Sequence, residues 1–270
     1  MFYAGDGVLE DVRGTLRFTH AELKAWAAAL THRHRTLRQR GIAYLFVLAP
    51  NKHSIYPEYL PDWLQPGHAG TRTDQWVAFM RSRTSVPIVD LRGVLAAQKS
   101  LGPLYRKYDT HWNAIGAHLA QTAIVASLSL QVPVPAAESV TADSFRWQPR
   151  KGGDLARLLG AGDLVENLPV SDGHRSQCHW GKKRNEKSGQ PENRIRVDYC
   201  AKNRLTAWVF HDSFMNQVRW FLSPYFSVTR YVRNAAGDCS LVTQAVAAGA
   251  DIVIEQRVER FLSVVVPTDC

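Results

Sequence analysis

Apolar and polar residues along the first part of the chain form blocks that have the lengths of helices and strands. The stretch 18–41 predicts a helix, because Thr19 and Glu22 have the spacing of a capping box at its start and Gly41 suits its end. The apolar run IAYLFVLAP at 42–50 has the length of a parallel strand that is buried on both faces. A helix followed by a central strand is therefore predicted.

The same alternation continues through the rest of the chain. A helix is predicted at 71–84, a buried strand begins the stretch 86–95, and a helix with an apolar face follows DTHWN at 109–113. Further on, the predicted order is strand, helix, strand, helix and strand, at 205–214, 217–226, 228–232, 240–250 and 251–262. Strands that alternate with helices predict an α/β fold with a central parallel sheet.

The stretch from about 131 to 204 has a different composition. Glycine, proline and charged residues replace the apolar pattern there, and the strand-like segment IRVDYC stands near its end. We expect a single domain over residues 1–270, in which this stretch is a loop-rich insertion that covers an active site or binds a partner.

Size and charge limit the class of protein. With 270 residues, of which 45% are hydrophobic, the chain is large enough to bury a core. No apolar run reaches the roughly 18–20 residues of a membrane helix, and the opening residues show no signal-peptide pattern. The net charge of +9 suits acidic partners, although a solubilising surface explains most of these charges better. The basic clusters at 32–40 and 181–190 follow no nucleic-acid-binding motif, so nucleic acid is not an expected partner.

The four cysteines leave two interpretations open. Cys178, Cys200, Cys239 and Cys270 lie far apart and lack the CxxC spacing of a zinc site. Cys178 and Cys200 bracket a polar, basic segment, which a disulfide would close in an exported protein. Four free thiols are the equal alternative. We expect no metal and no cofactor.

Ser213 stands where a predicted strand runs into a turn and a helix. Such a turn places a hydroxyl at the carboxyl edge of a parallel sheet, where the backbone N–H groups of Ser213 and the neighbouring turn can stabilise an oxyanion. A serine nucleophile needs a histidine base that a carboxylate orients, and Asp109 with His111 offers that pair. Helix capping, by Asp212 and Ser213 in one segment and by Asp109 and Thr110 in the other, explains each segment better when it is taken alone.

Taken together, the segments resemble the alginate O-acetyltransferase family (AlgJ/AlgX-like). The match rests on DTHWN followed by GAHLA, on HDSF at 211–214, and on blocks along nearly the whole chain, namely GDGVLED, FTHAEL, APNKHSIYPEYLP, VPIVDLRGVL, KGGDLARLLG and DIVIEQRVERFL. The resemblance implies a three-layer SGNH-hydrolase-like fold. Its motif order is circularly permuted, because Asp109 and His111 precede Ser213 by about a hundred residues.

The resemblance also implies the roles of the site residues. Ser213 is the nucleophile, His111 is the general base and acid, and Asp109 orients the histidine. One departure is His211, where the family often has glycine, which would ease a tight turn. A histidine there changes the expected turn and adds a second imidazole close to the nucleophile.

Five further residues are candidates for substrate binding: Asn51, Lys52, Tyr56, Tyr108 and Arg257. Asn51 and Lys52 follow a strand at the same sheet edge as the predicted site, although a polar turn at the strand end explains them equally well. Tyr56 offers a stacking surface for sugar, with simple packing as the alternative. Arg257 is expected to pair with a neighbouring glutamate at the site, and Tyr108 is a candidate for the groove wall.

The resemblance implies an O-acetyltransferase that moves acetyl through a serine acyl-enzyme to hydroxyls of a bacterial exopolysaccharide. It implies a periplasmic protein, with any inner-membrane anchor in a segment absent from this chain. Its acetyl donor would be a membrane-bound O-acyltransferase, and other exopolysaccharide assembly proteins would be partners. Two alternatives stay open: an acetylesterase that uses the same acyl-enzyme, and a non-catalytic polysaccharide-binding assembly subunit.

Overall fold

A computed structural model describes residues 1–139, 141–171, 178–180, 195–200, 203–233 and 241–264. The strands are β1 (Ala43–Ala49), β2 (Ile88–Asp90), β3 (Arg146–Lys151), β4 (Val165–Val170), β5 (His179–Trp180), β6 (Ile195–Tyr199), β7 (Thr206–His211), β8 (Val228–Arg233) and β9 (Ile252–Val258). The α-helices are α1 (Val8–Val12), α2 (His20–Arg38), α3 (Lys52–Ile55), α4 (Arg72–Arg83), α5 (Leu91–Ala96), α6 (Ala114–Leu128), α7 (Asp154–Leu158), α8 (Met215–Leu222) and α9 (Leu241–Ala247). Short 3-10 turns lie at Pro57–Tyr59, Lys99–Leu101, Ala142–Ser144, Ser223–Tyr225 and Glu259–Ser263.

The two long N-terminal helices begin with capping boxes. The Thr19 hydroxyl accepts from the N–H of Glu22, and the Glu22 carboxylate accepts from the N–H of Thr19, as the sequence predicts for α2. Thr71 and Asp74 form the same arrangement at the start of α4. Gly41, with a φ of 72°, lies in the turn that leads from α2 into β1.

The main sheet has the strand order β2-β1-β9-β7-β8-β6-β5 among the described residues. The strands from β2 to β8 in this order run parallel, whereas β6 and β5 add an antiparallel edge. β9 comes last in the sequence but lies between β1 and β7. The predicted α/β class with a central parallel sheet is confirmed.

The strand predicted at the start of 86–95 is shorter and less buried than expected. β2 has three half-buried residues at the edge of the sheet, because it pairs only with β1 among the described strands. The chain turns into α5 directly after it, and the Asp90 carboxylate accepts from the N–H of Arg92 to cap that helix. The cap explains why the strand stops at Asp90.

Side chains of the central strands alternate between two apolar layers. Leu45 and Val47 of β1 face the layer formed with α6 and α8, whereas Tyr44 and Phe46 face the layer formed with α2 and α4. The sheet is therefore covered on both faces, as in a three-layer fold. Within the described ranges, the helices are all too short or too polar to cross a membrane.

The described strands of the predicted insertion at 131–204 belong to two different sheets. β3 and β4 form a separate antiparallel pair, with α7 between them in sequence. β5 and β6 extend the main sheet, and a disulfide joins Cys178 to Cys200 at their ends. This is the pairing that the sequence left open, while Cys239 and Cys270 lie outside the described residues. That the whole chain is one domain stays a prediction.

Candidate active site

Three side chains from two distant segments form one chain of hydrogen bonds. His111 Nδ1 lies 2.7 Å from Asp109 Oδ1, and His111 Nε2 lies 2.7 Å from Ser213 Oγ. An ionised carboxylate only accepts, so Nδ1 carries the proton and Nε2 can accept the serine proton. The structure thus brings together the residues to which the sequence assigns the nucleophile, the base and the orienting carboxylate.

The loop before α6 holds Asp109 in a fixed position. Its Oδ2 atom accepts from Arg106 Nη1 at 2.9 Å and from the N–H of Asp154 at 3.1 Å, and its Oδ1 atom accepts from the N–H of His111 at 3.0 Å. Burial would raise the pKa of Asp109, but the hydrogen bonds and charge of His111 lower it below its ordinary value. The carboxylate is therefore ionised at neutral pH.

Asp154 is a second carboxylate at the site, and it is not among the residues predicted from the sequence. Its Oδ1 atom accepts from the N–H of Thr110 at 2.7 Å, and its Oδ2 atom bonds the Thr110 hydroxyl and lies 3.4 Å from His111 Nδ1. Gly153 lets α7 approach so closely that a Cβ there would lie 1.9 Å from the carbonyl oxygen of Tyr108. The pattern Gly-Gly-Asp at 152–154 was the only sequence signal.

The two carboxylates set the charge state of His111. Burial acts to lower the pKa of the imidazole, whereas the hydrogen bonds and charges of Asp109 and Asp154 raise it, and the resulting pKa lies above its ordinary value of 6.5. A base with a raised pKa takes a proton from serine more readily. It is also protonated, and so inactive as a base, at mildly acidic pH.

Asp212 holds the turn that carries the nucleophile. Its carboxylate accepts from the N–H groups of Phe214 at 2.9 Å and Val258 at 2.6 Å, and from the Gln256 amide at 3.0 Å. The N–H of Phe214 is thereby occupied, whereas the N–H of Ser213 has no hydrogen-bond partner in the described part of the chain. Of the two, only the N–H of Ser213 is therefore open to an oxyanion.

Aromatic side chains join the loop of His111 to the turn of Ser213. Trp112 Nε1 donates to the carbonyl oxygen of Phe214 at 3.0 Å, and the two rings meet edge to face with centroids 5.0 Å apart. The Phe214 ring also lies 4.8 Å from the His111 ring. Trp112 therefore packs against the serine turn. Asn113 caps α6 through its side chain.

His211, the departure from the family pattern, is the last residue of β7. Its Nδ1 atom donates to the carbonyl oxygen of Asp212 at 2.5 Å, and its ring meets Tyr231 edge to face. Burial, with added repulsion from nearby arginines, lowers the pKa of His211 to about 4, so the ring is neutral. His211 continues the regular strand to its end, and it lines a cavity of about 100 Å³ next to the turn.

Asn51 and Lys52 lie near the site, where the protein itself binds their polar groups. Lys52 Nζ donates to the carbonyl oxygens of Arg106 at 2.6 Å and Met1 at 3.0 Å, and burial lowers its pKa to about 8. Asn51 Oδ1 accepts from Arg260 Nη1 at 2.9 Å. Lys52 therefore supports the loop that carries the carboxylate, and Asn51 is tied to the end of the sheet.

Tyr56 and Tyr108 differ in what they can contact. The Tyr56 hydroxyl accepts from the N–H of Leu104 at 2.8 Å, which fits the packing alternative for this residue. Tyr108 is half-buried and lines a cavity of about 330 Å³ beside the loop, together with Trp147 and Asn167. Of the two, Tyr108 is the one that lines a groove, and its role in binding substrate stays a prediction.

The expectation that Arg257 lies at the site is wrong. Alternation along β9 directs Arg257 to the sheet face that packs on α2, whereas the Ser213 turn packs on the opposite face. Arg257 does pair with Glu255 at 3.1 Å, as predicted, but it is buried there and lies over the ring of Trp26. A single strand pattern does not show which face meets the active site, which explains the error.

The site also has the spacing of a possible metal centre. Asp109, His111 and Asp154 have ligand atoms within 4.8 Å of one another. A metal at His111 Nδ1 would have to displace the proton that this atom donates to Asp109. The hydrogen bonds therefore fit an imidazole base that a carboxylate orients better than a metal site.

Known proteins resemble the chain in sequence. Residues 8–190 match the family described as SGNH hydrolase-like domain, acetyltransferase AlgX, a range that includes Asp109, His111 and Asp154 and ends before Ser213. "Probable alginate O-acetylase AlgJ" of Pseudomonas syringae pv. tomato is 26% identical over 133 residues, which are 49% of this chain and 34% of that protein. The matched segment thus spans about a third of that relative.

Two solved structures share the fold. Bacillus cereus PatB1 aligns with a TM-score of 0.67 and 16% identity, over 90% of this chain and 91% of that chain. The O-acetyltransferase domain of Pseudomonas putida AlgJ aligns with a TM-score of 0.57 and 18% identity, over 92% of this chain and 86% of that chain. Because the family match covers more than half of the sequence, the chain belongs to the SGNH hydrolase-like domain family of the acetyltransferase AlgX.

Proposed function

We propose that the chain is a serine-dependent O-acetyltransferase that acetylates hydroxyl groups of a bacterial exopolysaccharide. The observation that carries the proposal is the hydrogen-bond chain from Asp109 through His111 to Ser213. Membership of the acetyltransferase AlgX family supports acetyl as the group that is transferred. The relatives are named alginate O-acetylases, which supports a polysaccharide as the acceptor.

In the first half-reaction, Ser213 Oγ attacks the carbonyl carbon of the acetyl donor while His111 Nε2 takes its proton. Asp109 stabilises the imidazolium through the proton on Nδ1, and the N–H of Ser213 donates to the oxyanion of the tetrahedral intermediate. Collapse breaks the bond to the leaving group, which takes the proton from His111. Acetyl-Ser213 remains.

In the second half-reaction, a sugar hydroxyl gives its proton to His111 Nε2 and its oxygen attacks the acetyl carbon. Collapse releases Ser213 Oγ, which recovers the proton, and the acetylated sugar leaves. Water attacking in the same way would give acetate, so an acetylesterase is the rival that uses the same residues. A binding subunit has no need of a serine hydroxyl bonded to an oriented imidazole, which argues against the non-catalytic alternative.

The setting of the reaction is part of the proposal. The acetyl donor is a membrane-bound O-acyltransferase, and other exopolysaccharide assembly proteins are further partners in the periplasm. The Cys178–Cys200 disulfide supports this location, because such bonds persist in oxidising compartments.

The Ser213→Ala variant tests the nucleophile. We expect turnover of a chromogenic acetate ester to fall by about a thousandfold or more, because no other described hydroxyl is bonded to His111 Nε2. Ser82→Ala, which removes an exposed hydroxyl on α4, is the matched control. Undiminished turnover in Ser213→Ala would refute the assignment. With donor and oligosaccharide present, acetylated oligosaccharide in the mass spectrum supports transfer, whereas free acetate alone supports the esterase.

A further inference from the structure

The peptide group that joins Arg106 to Lys107 is held from both sides by buried charged side chains. Lys52 Nζ, at the start of α3, donates to the carbonyl oxygen of Arg106 at 2.6 Å. The N–H of Lys107 donates to Glu166 Oε2, on β4, at 2.6 Å. Because a peptide group is planar, binding both its C=O and its N–H fixes its orientation.

This peptide group is tied directly to the candidate active site. Arg106 Nη1 donates to Asp109 Oδ2 at 2.9 Å, and the N–H of Arg106 donates to the carbonyl oxygen of His111 at 3.1 Å. From Asp109, the hydrogen bonds continue through His111 to Ser213 Oγ. A continuous series of hydrogen bonds therefore leads from Lys52 to the proposed nucleophile.

Carbonyl oxygens surround the ammonium group of Lys52. Besides the bond to Arg106, Nζ donates to the carbonyl oxygen of Met1 at 3.0 Å and to that of Lys107 at 3.4 Å. Three N–H groups of an ammonium match these three acceptors, whereas a neutral amine has only two. The protonated form of Lys52 is therefore the one that holds the loop.

Burial makes this protonated form sensitive to alkali. It lowers the pKa of Lys52 to about 8, although nearby carboxylates act to raise it. Burial also lowers the pKa of the neighbouring His53 to about 4, so that imidazole is neutral. The charged and titratable groups that act on Lys52 or respond to it are those of Asp109, Asp154, Glu166, Arg106, His53 and the amino group of Met1.

We propose that Lys52 and Glu166 are positioning residues for the acetyl transfer, which together fix the peptide group at 106–107 and the loop that presents Asp109 to His111. This arrangement is called the peptide clamp below. Neither side chain bonds the Ser213 hydroxyl among the described hydrogen bonds, so both act through the loop. The role rests on the proposed function, to which it adds two residues outside the triad and an alkaline limit of activity.

Hydrogen exchange of the loop tests the peptide clamp without any use of turnover. We expect Lys52→Met and Glu166→Met each to speed exchange of a peptide that covers 105–113 by about tenfold or more, because the peptide group loses one of its two bonds. Exchange in β1 should stay unchanged. Lys24→Met and Glu10→Met replace exposed residues of the same types and are the matched controls. An unchanged loop, or equally faster exchange in β1, would overturn the proposal whether or not Ser213 is the nucleophile.

Steady-state kinetics with a chromogenic acetate ester test the effect on the reaction. We expect kcat of Lys52→Met to fall about tenfold and KM to change less than about twofold, because orientation and not binding is lost. In the unmodified protein, kcat/KM should fall above about pH 8, where Lys52 loses its proton, and Lys52→Met should lack this fall. Lys52→Arg keeps a cation at every pH, so it should restore part of kcat and also lack the fall.

The double variant of Lys52→Met and Glu166→Met tests whether the two residues act on one peptide group. Its loss of kcat should be smaller than the product of the two single losses. Independent losses, a change in KM alone, or an alkaline fall that persists in Lys52→Met would contradict the peptide clamp. Full turnover by Ser213→Ala would instead refute the proposed nucleophile, and the exchange result would still decide whether Lys52 and Glu166 hold the loop.

Discussion

Two carboxylates share one imidazole at the candidate site. Asp109 accepts the proton of His111 Nδ1, while Asp154 holds the loop through Thr110 and adds a second negative charge 3.4 Å from the same nitrogen. Asp154 has no contact with the Ser213 hydroxyl among the described hydrogen bonds. It is therefore a positioning residue, which acts on the reaction through the histidine.

We predict that Asp154→Asn lowers kcat about tenfold and shifts the acid limb of the pH–rate profile to lower pH. The raised pKa of His111 leaves the base protonated and inactive in mild acid. Removing one carboxylate lowers that pKa, so the neutral base persists at lower pH. The measurement is kcat/KM for a chromogenic acetate ester from about pH 5 to 9.

Asp163→Asn is the control for this shift, because Asp163 is an exposed acid between α7 and β4. Its profile should match that of the unmodified protein. If the acid limb of Asp154→Asn does not shift, or if the control shifts equally, Asp154 does not raise the pKa of His111.

The sequence predicted some residues of the candidate site and missed or misplaced others. The resemblance to a family selected Asp109, His111 and Ser213, and the structure brings these three side chains together. Asp154 was missed because the block KGGDLARLLG supported only the resemblance and was given no role in the chemistry, within a stretch interpreted as a loop-rich insertion. Arg257 was misplaced because the alternation of a strand fixes two faces without showing which one meets the site.

At the scale of elements, α7 packs closely against the loop that carries Asp109. Gly153 has a φ of 150°, and the carbonyl oxygen of Tyr108 occupies the space that a Cβ would take. The contact puts the N–H and the carboxylate of Asp154 within reach of the loop. A short helix from the predicted insertion thus completes the site, which its composition alone did not show.

Gly153→Ala should push α7 away from the loop. We expect a loss of about 2 kcal/mol or more in the free energy of unfolding and a fall in ester turnover, because the added methyl clashes with backbone and the bonds of Asp154 are lost. Denaturant unfolding and steady-state kinetics measure the two effects. Gly162→Ala meets only a side-chain carbon at 3.9 Å and should be nearly neutral. Equal behaviour of the two variants would contradict the close approach.

The disulfide at the ends of β5 and β6 should stabilise the fold without taking part in the chemistry. Cys178 and Cys200 are separated by 22 residues, and closing a loop of that length contributes about 3 kcal/mol. We expect the Cys178→Ala, Cys200→Ala double variant to melt several degrees lower and to keep its turnover of a small acetate ester. Reductant should lower the melting temperature of the unmodified protein but not that of the variant. A reductant-insensitive melting temperature in both proteins would rule out the bond.

At the scale of the whole molecule, the order of strands places the site. β9 lies between β1 and β7, so the sheet edge that carries Ser213 joins strands that end at Ala49, Val258 and His211. Apolar runs predicted the strands and their parallel direction, because both follow from local pattern. The strand order has no such local signal, since it depends on pairing between distant segments.

The claim that Ser213 carries the acetyl group is tested most directly by trapping the intermediate. The protein is mixed with a chromogenic acetate ester, quenched with acid within seconds, and measured by intact-mass and peptide mass spectrometry. We expect one added acetyl group on Ser213, which is absent from the Ser213→Ala protein. Acetyl on a different residue, together with full turnover by Ser213→Ala, would contradict it.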